Sequence, residues 1–267
     1  MGFVIKIIME QLTNIHLILR IATYEMKSSH QMHYLGFLWQ IVNPTIQIIA
    51  YWFVFGMGIR GGKPVGDVPF FVWLIIGLIP WFFISPSITQ GSNSVFAKIN
   101  LVSKMKFPIS VLPTITIVKN TIEFFYMSLF LIVILIINDI NPGIYLLQIP
   151  YYIIALFIFL FSATLLFSTI SVIIRDFDPL LNSIMRMLFF VTPILWVPSN
   201  LPSHILNFLK LNPFYYLIEG FRNTLLNGVW FFDEMGLTIY FWSITLLLLF
   251  LGAFMHYKFR KKFVDYL

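Results

Sequence analysis

The sequence predicts an all-α integral membrane protein. It would hold six transmembrane helices, an N-terminal amphipathic interface helix, and an external re-entrant helical hairpin between the fifth and sixth spans. Three observations predict this. Apolar residues make up 59% of the 267 residues and charged residues only 10%, against about 25% charged in an ordinary soluble domain. The apolar residues gather into six stretches long enough for a bilayer, which takes roughly 20 residues of helix. Lys and Arg are divided unequally between the loops, as in a polytopic membrane protein. This composition excludes a soluble globular domain, a disordered chain and a nucleic-acid binder working through a basic surface.

The first unit is residues 1–34. Residues 3–28 are apolar in bulk but carry Lys6, Glu10, Thr13, Arg20, Thr23 and Lys27 at intervals that share one helix face. That pattern describes a helix lying in the membrane interface, serving either as an anchor or as a docking surface for a soluble partner. The N-terminus has no small-residue cleavage site after its apolar run, so the chain is expected to keep it.

Residues 35–267 form the membrane domain, with spans expected at about 35–58, 68–88, 109–137, 151–174, 180–197 and 236–257. Pro44, Pro80, Pro86 and Pro193 fall inside these spans, and each favours a kink by removing a helix hydrogen bond. Lys6, Arg20, Lys27, Lys98, Lys104, Lys106, Arg175, Lys258, Arg260, Lys261 and Lys262 would lie on one side. Only Arg60, Lys63, Lys210 and Arg222 would lie on the other. The positive-inside rule then places both termini in the cytoplasm.

The stretch 95–108 carries Lys98, Lys104 and Lys106 among Ile99, Leu101, Val102, Met105 and Phe107. It reads either as a solvated basic loop or as a short amphipathic helix that receives force from a partner.

Residues 198–235 are apolar but interrupted. Asn212 can cap a helix, Pro213 suits its first turn, and Asn227-Gly228 can end it. Glu219 and Arg222 are three apart and placed to pair. Such a hairpin fits a lid over the outer end of a pathway, with Glu219 and Arg222 as its gate residues.

Three ionisable residues fall inside spans. Lys119 and Glu123 are four apart on the third and can pair; Arg186 lies about seven residues inside the fifth. A charge in lipid costs at least ~3 kcal/mol and faces protein or water. These groups either snorkel to the interface or form an entrance for an anionic substrate.

Catalytic motifs fail. Gly56-Met57-Gly58-Ile59-Arg60-Gly61 has the letters of a dinucleotide fingerprint but ends a membrane span instead of joining a strand to a helix. Gly62-Lys63 lacks the upstream glycine of a P-loop and is followed by Pro64. Asp176-Phe177-Asp178 occupies a tight turn, where capping or surface pairing competes with metal binding. Cys is absent and the five His have no metal-ligand spacing. A secondary transporter would need ion-coupling groups near the midplane, and only Glu123 offers a carboxylate. A sugar-transferring enzyme would rest on Asp176 and Asp178 alone.

Several strings carry a resemblance. They are Tyr34-Leu35-Gly36-Phe37-Leu38-Trp39 with Asn43-Pro44, Lys106-Phe107-Pro108 with Leu112-Pro113, Arg175-Asp176-Phe177, and Asn212-Pro213 with Glu219 and Arg222. With the order of segments, they resemble the membrane subunit of type-2 ABC exporters that move polysaccharides and related polymers. A narrower set is Phe53 to Arg60, Val68-Pro69-Phe70-Phe71-Val72-Trp73 and Ile79-Pro80-Trp81-Phe82-Phe83. It looks like the teichoic acid translocation permeases of Gram-positive bacteria.

The resemblance implies a homodimer in the bacterial cytoplasmic membrane, with the conduit along its two-fold axis. It implies two copies of a separate P-loop ATPase, which hold the ATP and Mg; this chain would hold no cofactor. Arg20, Lys27, Lys98, Lys104 and Lys106 become candidates for coupling to that ATPase. The substrate implied is a polyprenyl-linked anionic polymer, wall teichoic acid, or alternatively another lipid-linked polysaccharide such as O-antigen or capsule. Phe70, Trp73, Trp81 and Phe82 are candidates to line the path with Lys119, Glu123 and Arg186, although aromatics also serve interfacial belts and core packing.

Overall fold

The computed structural model describes residues 2–30, 34, 36–98, 107–198, 201–260 and 263. Among these there are ten α-helices and no strand. They are α1 (Gly2–Thr13), α2 (Ile15–His30), α3 (Trp39–Tyr51), α4 (Phe70–Ala97), α5 (Val111–Ile137), α6 (Ile149–Ile173), α7 (Phe177–Val191), α8 (Ser203–Lys210), α9 (Pro213–Arg222) and α10 (Met235–Phe259). The helix α3 runs on through a wider π-helical stretch, Trp52–Ile59, and a 3-10 turn, Gly143–Gln148, leads into α6.

Among the described residues, five segments are long and apolar enough to cross a membrane: Trp39–Ile59, Phe70–Ala97, Val111–Ile137, Gly143–Ile173 and Met235–Phe259; the bent pair α1 and α2 would make a sixth if counted as one span. The chain is an all-α, multi-pass membrane protein. The expected fifth span is shorter than the others. Helix α7 has 15 residues, or about 22 Å at 1.5 Å per residue. It stops where Thr192 turns extended ahead of Pro193. The chain continues without helix, and Ile194 and Leu195 are buried. Non-helical backbone at membrane depth is tolerated where protein covers it.

Helix α4 is apolar on every side and buried along most of its length, as befits a central helix. Pro80 and Pro86 lie within it without ending it. Helices α6, α7, α9 and α10 contribute to the same core, in which Phe83, Phe159, Leu217 and Phe241 are buried. Small residues bring backbones together, as in other membrane bundles. A Cβ added at Gly91 would stand 2.7 Å from Thr164 Cγ2, and one at Gly252 would stand 3.0 Å from the Leu166 amide nitrogen.

The N-terminal segment corrects one expectation. It is two helices, α1 and α2, bent by 63°, so its polar residues do not share a single face. The bend falls at Asn14, whose side chain donates to the Glu10 carbonyl at 2.8 Å. A side-chain bond of this kind competes with the backbone ladder. Either side of the bend, α1 and α2 seat separately. Ile7 of α1 is buried against Leu165 and Ala253. Ile18 and Ala22 of α2 are buried with Val95, Val111, Leu112, Ile115 and Val172.

The last turn of α4, the first turns of α5 and α7, and the last turns of α6 and α10 therefore share one end with α1 and α2. This basic end is tied by polar contacts. The Ser110 hydroxyl donates to Glu10 Oε2 at 2.7 Å, and Gln11 Nε2 donates to the Ser110 carbonyl at 3.0 Å. The Lys98 ammonium pairs with the Glu25 carboxylate. The expected short helix around residues 98–106 falls, beyond Lys98, outside the described residues.

The opposite end carries α8 and α9, the expected hairpin. Asn212 accepts from the Phe214 amide at 3.0 Å, with Pro213 in the first turn. Gly228 closes the segment in the left-handed region at φ 61°, a conformation glycine adopts without steric cost.

Candidate functional site

A cleft of about 770 Å³ lies between α3, α4, α5 and α7. Helix α3 contributes Asn43, Pro44, Gln47 and Tyr51. Helix α4 contributes Trp81, Phe82, Ser85, Pro86 and Thr89. Glu123 reaches it from α5, and Asn182, Met185, Arg186, Phe189 and Phe190 from α7. Each set recurs every three or four residues, so each is one stripe of its helix. The lining mixes aromatic faces with amides and hydroxyls, and among the described residues its formal charges are one carboxylate and one guanidinium.

The wall is held by ring packing and local bonds. Trp81 lies 5.8 Å from Phe189 and 5.5 Å from Phe214, centroid to centroid. Arg186 donates to the Ser183 hydroxyl at 3.2 Å. Asn182 donates to the Asp178 carbonyl at 2.8 Å, and its own carbonyl oxygen accepts no hydrogen bond from the described residues. No hydrogen bond joins the Asn43 or Gln47 amide to the described residues.

A second arrangement lies toward the opposite end. Arg222, at the end of α9, is fully buried. Its guanidinium sits over the Trp73 ring at 3.5 Å. It pairs with Glu219 at 2.6 Å and donates to the Pro193 carbonyl and, at 3.0 Å, to the Ile194 carbonyl. A Cβ on Gly77 would collide with its Nη2. Residues from α4, α9 and the chain after α7 therefore converge on one cation. The carbonyls it satisfies belong to the non-helical stretch after α7, which has no helical partners for them.

The sequence-derived candidates separate into three groups. Trp81, Phe82, Glu123 and Arg186 line the cleft. Trp73 and Phe70 do not; they are buried and stacked on each other at 5.7 Å, with Arg60 over Phe70 at 5.2 Å. Glu219 and Arg222 make the expected ion pair, inside the packed protein. The expected pair of Lys119 with Glu123 is corrected. Lys119 donates instead to Gln90 of α4 at 3.2 Å, because a long flexible stem reaches a neighbouring helix as readily as its own next turn. Arg20 and Lys27 are exposed on α2, Lys98 is paired with Glu25, and Lys104 and Lys106 lie outside the described residues.

Asp178 does not cap its helix or form a surface pair. It accepts from Ser92 of α4 at 2.8 Å and from Ser171 of α6. Asp176 stands at the N-cap of α7 without a side-chain capping bond. Among the described residues, no group of three or more His, Asp or Glu side chains could hold a metal ion.

Asn43, Gln47, Tyr51, Ser85, Thr89 and Asn182 escaped the sequence reading. A signal for part of this set exists: Asn43, Gln47 and Tyr51 recur every four residues in a mainly apolar span.

Comparison with known proteins bears on most of the chain. The family model described as ABC-2 type transporter matches residues 16–226. The O-antigen export system permease protein RfbA of Klebsiella pneumoniae is 27% identical over 245 residues, covering 91% of this chain and 93% of that protein. The protein of the same name from Myxococcus xanthus is 27% identical over 208 residues, 77% of this chain and 78% of its own length. The polysialic acid transport protein KpsM of Escherichia coli is 24% identical over 223 residues, 82% of this chain and 83% of its own.

Proposed function

The chain belongs to the ABC-2 type transporter family, and on that premise we propose that it is the membrane subunit of an exporter for a lipid-linked anionic cell-wall polymer, wall teichoic acid. The observation that carries this reading is the cleft. It offers amides and hydroxyls that exchange hydrogen bonds with polyol hydroxyls, and aromatic faces along which a chain can slide. Its one guanidinium is offset by one carboxylate, so a polyanion meets no deep electrostatic well that would stop it.

In this reading two copies of the chain form the conduit, and both termini and the basic end face the cytoplasm of a bacterial cell. Two copies of a separate ATPase, with their ATP and Mg, dock there against α2 and the α4–α5 connection. Arg20, Lys27, Lys98, Lys104 and Lys106 are the contact candidates. Nucleotide-driven closure moves that connection, and the Lys98–Glu25 and Ser110–Glu10 contacts carry the displacement into the N-terminal helices. Cytoplasmic Lys and Arg raise the local concentration of the polyanion.

A second reading, export of a lipid-linked glycan such as O-antigen or capsule, is favoured by the similarity to RfbA and KpsM. Vesicles holding the chain and its ATPase, loaded with defined lipid-linked polymers, separate the two. Teichoic acid export predicts ATP-dependent translocation of polyol-phosphate chains. Translocation of neutral glycan alone would replace it with the second reading.

A further inference from the structure

The cleft is graded along its length, and three helices grade in the same sense. At about 1.5 Å per residue, Asn43 and Gln47 stand about 6 and 12 Å from the basic-end start of α3, and Tyr51 about 18 Å. On α7, Asn182 and Arg186 stand about 8 and 14 Å from the start, and Phe189 about 18 Å. Helix α4 runs the other way. Thr89 is about 12 Å from its basic end and Trp81 about 24 Å. The amides thus occupy the cleft near the basic end and aromatic rings the part beyond it, where Glu123 of α5 also stands, about 18 Å from the start of its helix.

We propose that Asn43, Gln47 and Asn182 are specificity-determining residues, which read the hydroxyl groups of the exported polymer in the polar half of the cleft. The inference rests on the exporter reading above and adds to it the chemistry of recognition. An amide offers both a donor and an acceptor, as a hydroxyl does, whereas a phosphate only accepts. A cleft selecting phosphate would present cations and N–H groups alone. Among the described lining residues Arg186 is the single cation, and Glu123 in the same cleft repels phosphate. The amides of Asn43 and Gln47 have no hydrogen-bond partner among the described residues, and Asn182 keeps its carbonyl oxygen. All three side chains are exposed and line the cleft, so their amides are open to a passing chain, and a hydroxyl-rich one matches both their donors and their acceptors. The aromatic half then carries the same chain past apolar sugar or polyol faces.

Recognition by neutral hydrogen bonds differs from recognition by charge in its response to salt, which screens only the latter. The test uses the complete complex with its ATPase in vesicles and reads ATPase stimulation by lipid-linked polyol-phosphate polymer. Asn43→Leu, Gln47→Leu and Asn182→Leu keep a branched side chain and remove its hydrogen bonds. Each is expected to raise the KM for polymer about tenfold, with kcat changed less than about twofold. Asn182→Gln is expected to recover most of the loss. Wild-type KM is expected to stay within about twofold between about 0.05 and 0.5 M salt.

Unchanged KM in the leucine variants overturns the proposal, and so does loss of assembly with the second copy, which would make these residues interface contacts. A KM that climbs with salt and follows Arg186→Gln instead assigns recognition to phosphate and also overturns it. If wild-type complex is stimulated by no lipid-linked polymer, the exporter reading itself fails.

Discussion

The guanidinium of Arg222 lies 3.5 Å from the centre of the Trp73 ring, joining helix α9 to the central helix α4. Glu219 and two backbone carbonyls complete its surroundings. A cation wholly out of water is tolerable because a carboxylate, two carbonyl dipoles and an aromatic face replace its hydration. This geometry binds the hairpin to α4 and to the chain after α7 as one unit.

Arg222→Ala is therefore expected to destabilise the protein by about 3–5 kcal/mol, because it strands Glu219 and two buried carbonyls. Thermal unfolding of the detergent-purified complex measures it. Arg222→Lys should recover part of the loss, since an ammonium cannot reproduce the planar fork. A melting temperature unchanged in Arg222→Ala would mean that the latch contributes nothing.

Gly77→Ala should mimic much of that loss, because its Cβ occupies the space of the guanidinium. The effects of Gly77→Ala and Arg222→Ala should then be strongly non-additive, as for residues in direct contact. A double-mutant cycle reads this, and simple additivity would show that Gly77 acts elsewhere.

Trp73 and Phe82 should part company. Trp73→Ala is expected to lower the melting temperature, for it underlies Arg222. Phe82→Ala, on the cleft wall, should lower polymer translocation with a much smaller thermal effect. Equal thermal losses from the two would remove the distinction between latch and lining.

The Lys98–Glu25 pair is partly exposed, with side chains 21% and 27% accessible, and such pairs contribute under about 1 kcal/mol. Glu25→Lys should therefore barely alter thermal stability yet reduce polymer moved per ATP hydrolysed. The exchanged pair Glu25→Lys with Lys98→Glu should restore the ratio. A ratio indifferent to both variants would dismiss the pair as a coupling contact.

Much of this was legible in the residues. Apolar run length marked the long helices, since a bilayer admits little else than helices in that range. Asn212 and Pro213 marked the start of α9, and Gly228 the end of the π-helical stretch Asn223–Asn227 that continues it, because capping and left-handed backbone are local properties. The Glu219–Arg222 pair followed from helical spacing alone. The bend at Asn14 was not legible, as the polar spacing on either side of it fits one straight helix equally well. Nor was the partner of Lys119, because its own helix and α4 both lie within reach of its stem.

What the sequence determined by itself was therefore membrane residence, an all-helical chain, the place of its long spans, and the absence of a P-loop. These depend on composition and on periodicities of a few residues. Tertiary structure decided which polar and aromatic residues share a cleft and which are buried as support. Trp73 and Trp81 sit eight residues apart on one helix, yet one underlies a buried cation and the other borders the cleft. That difference was set by where α7 and α9 pack against α4, because a side chain's role in an apolar bundle depends on what faces it across the helix contact.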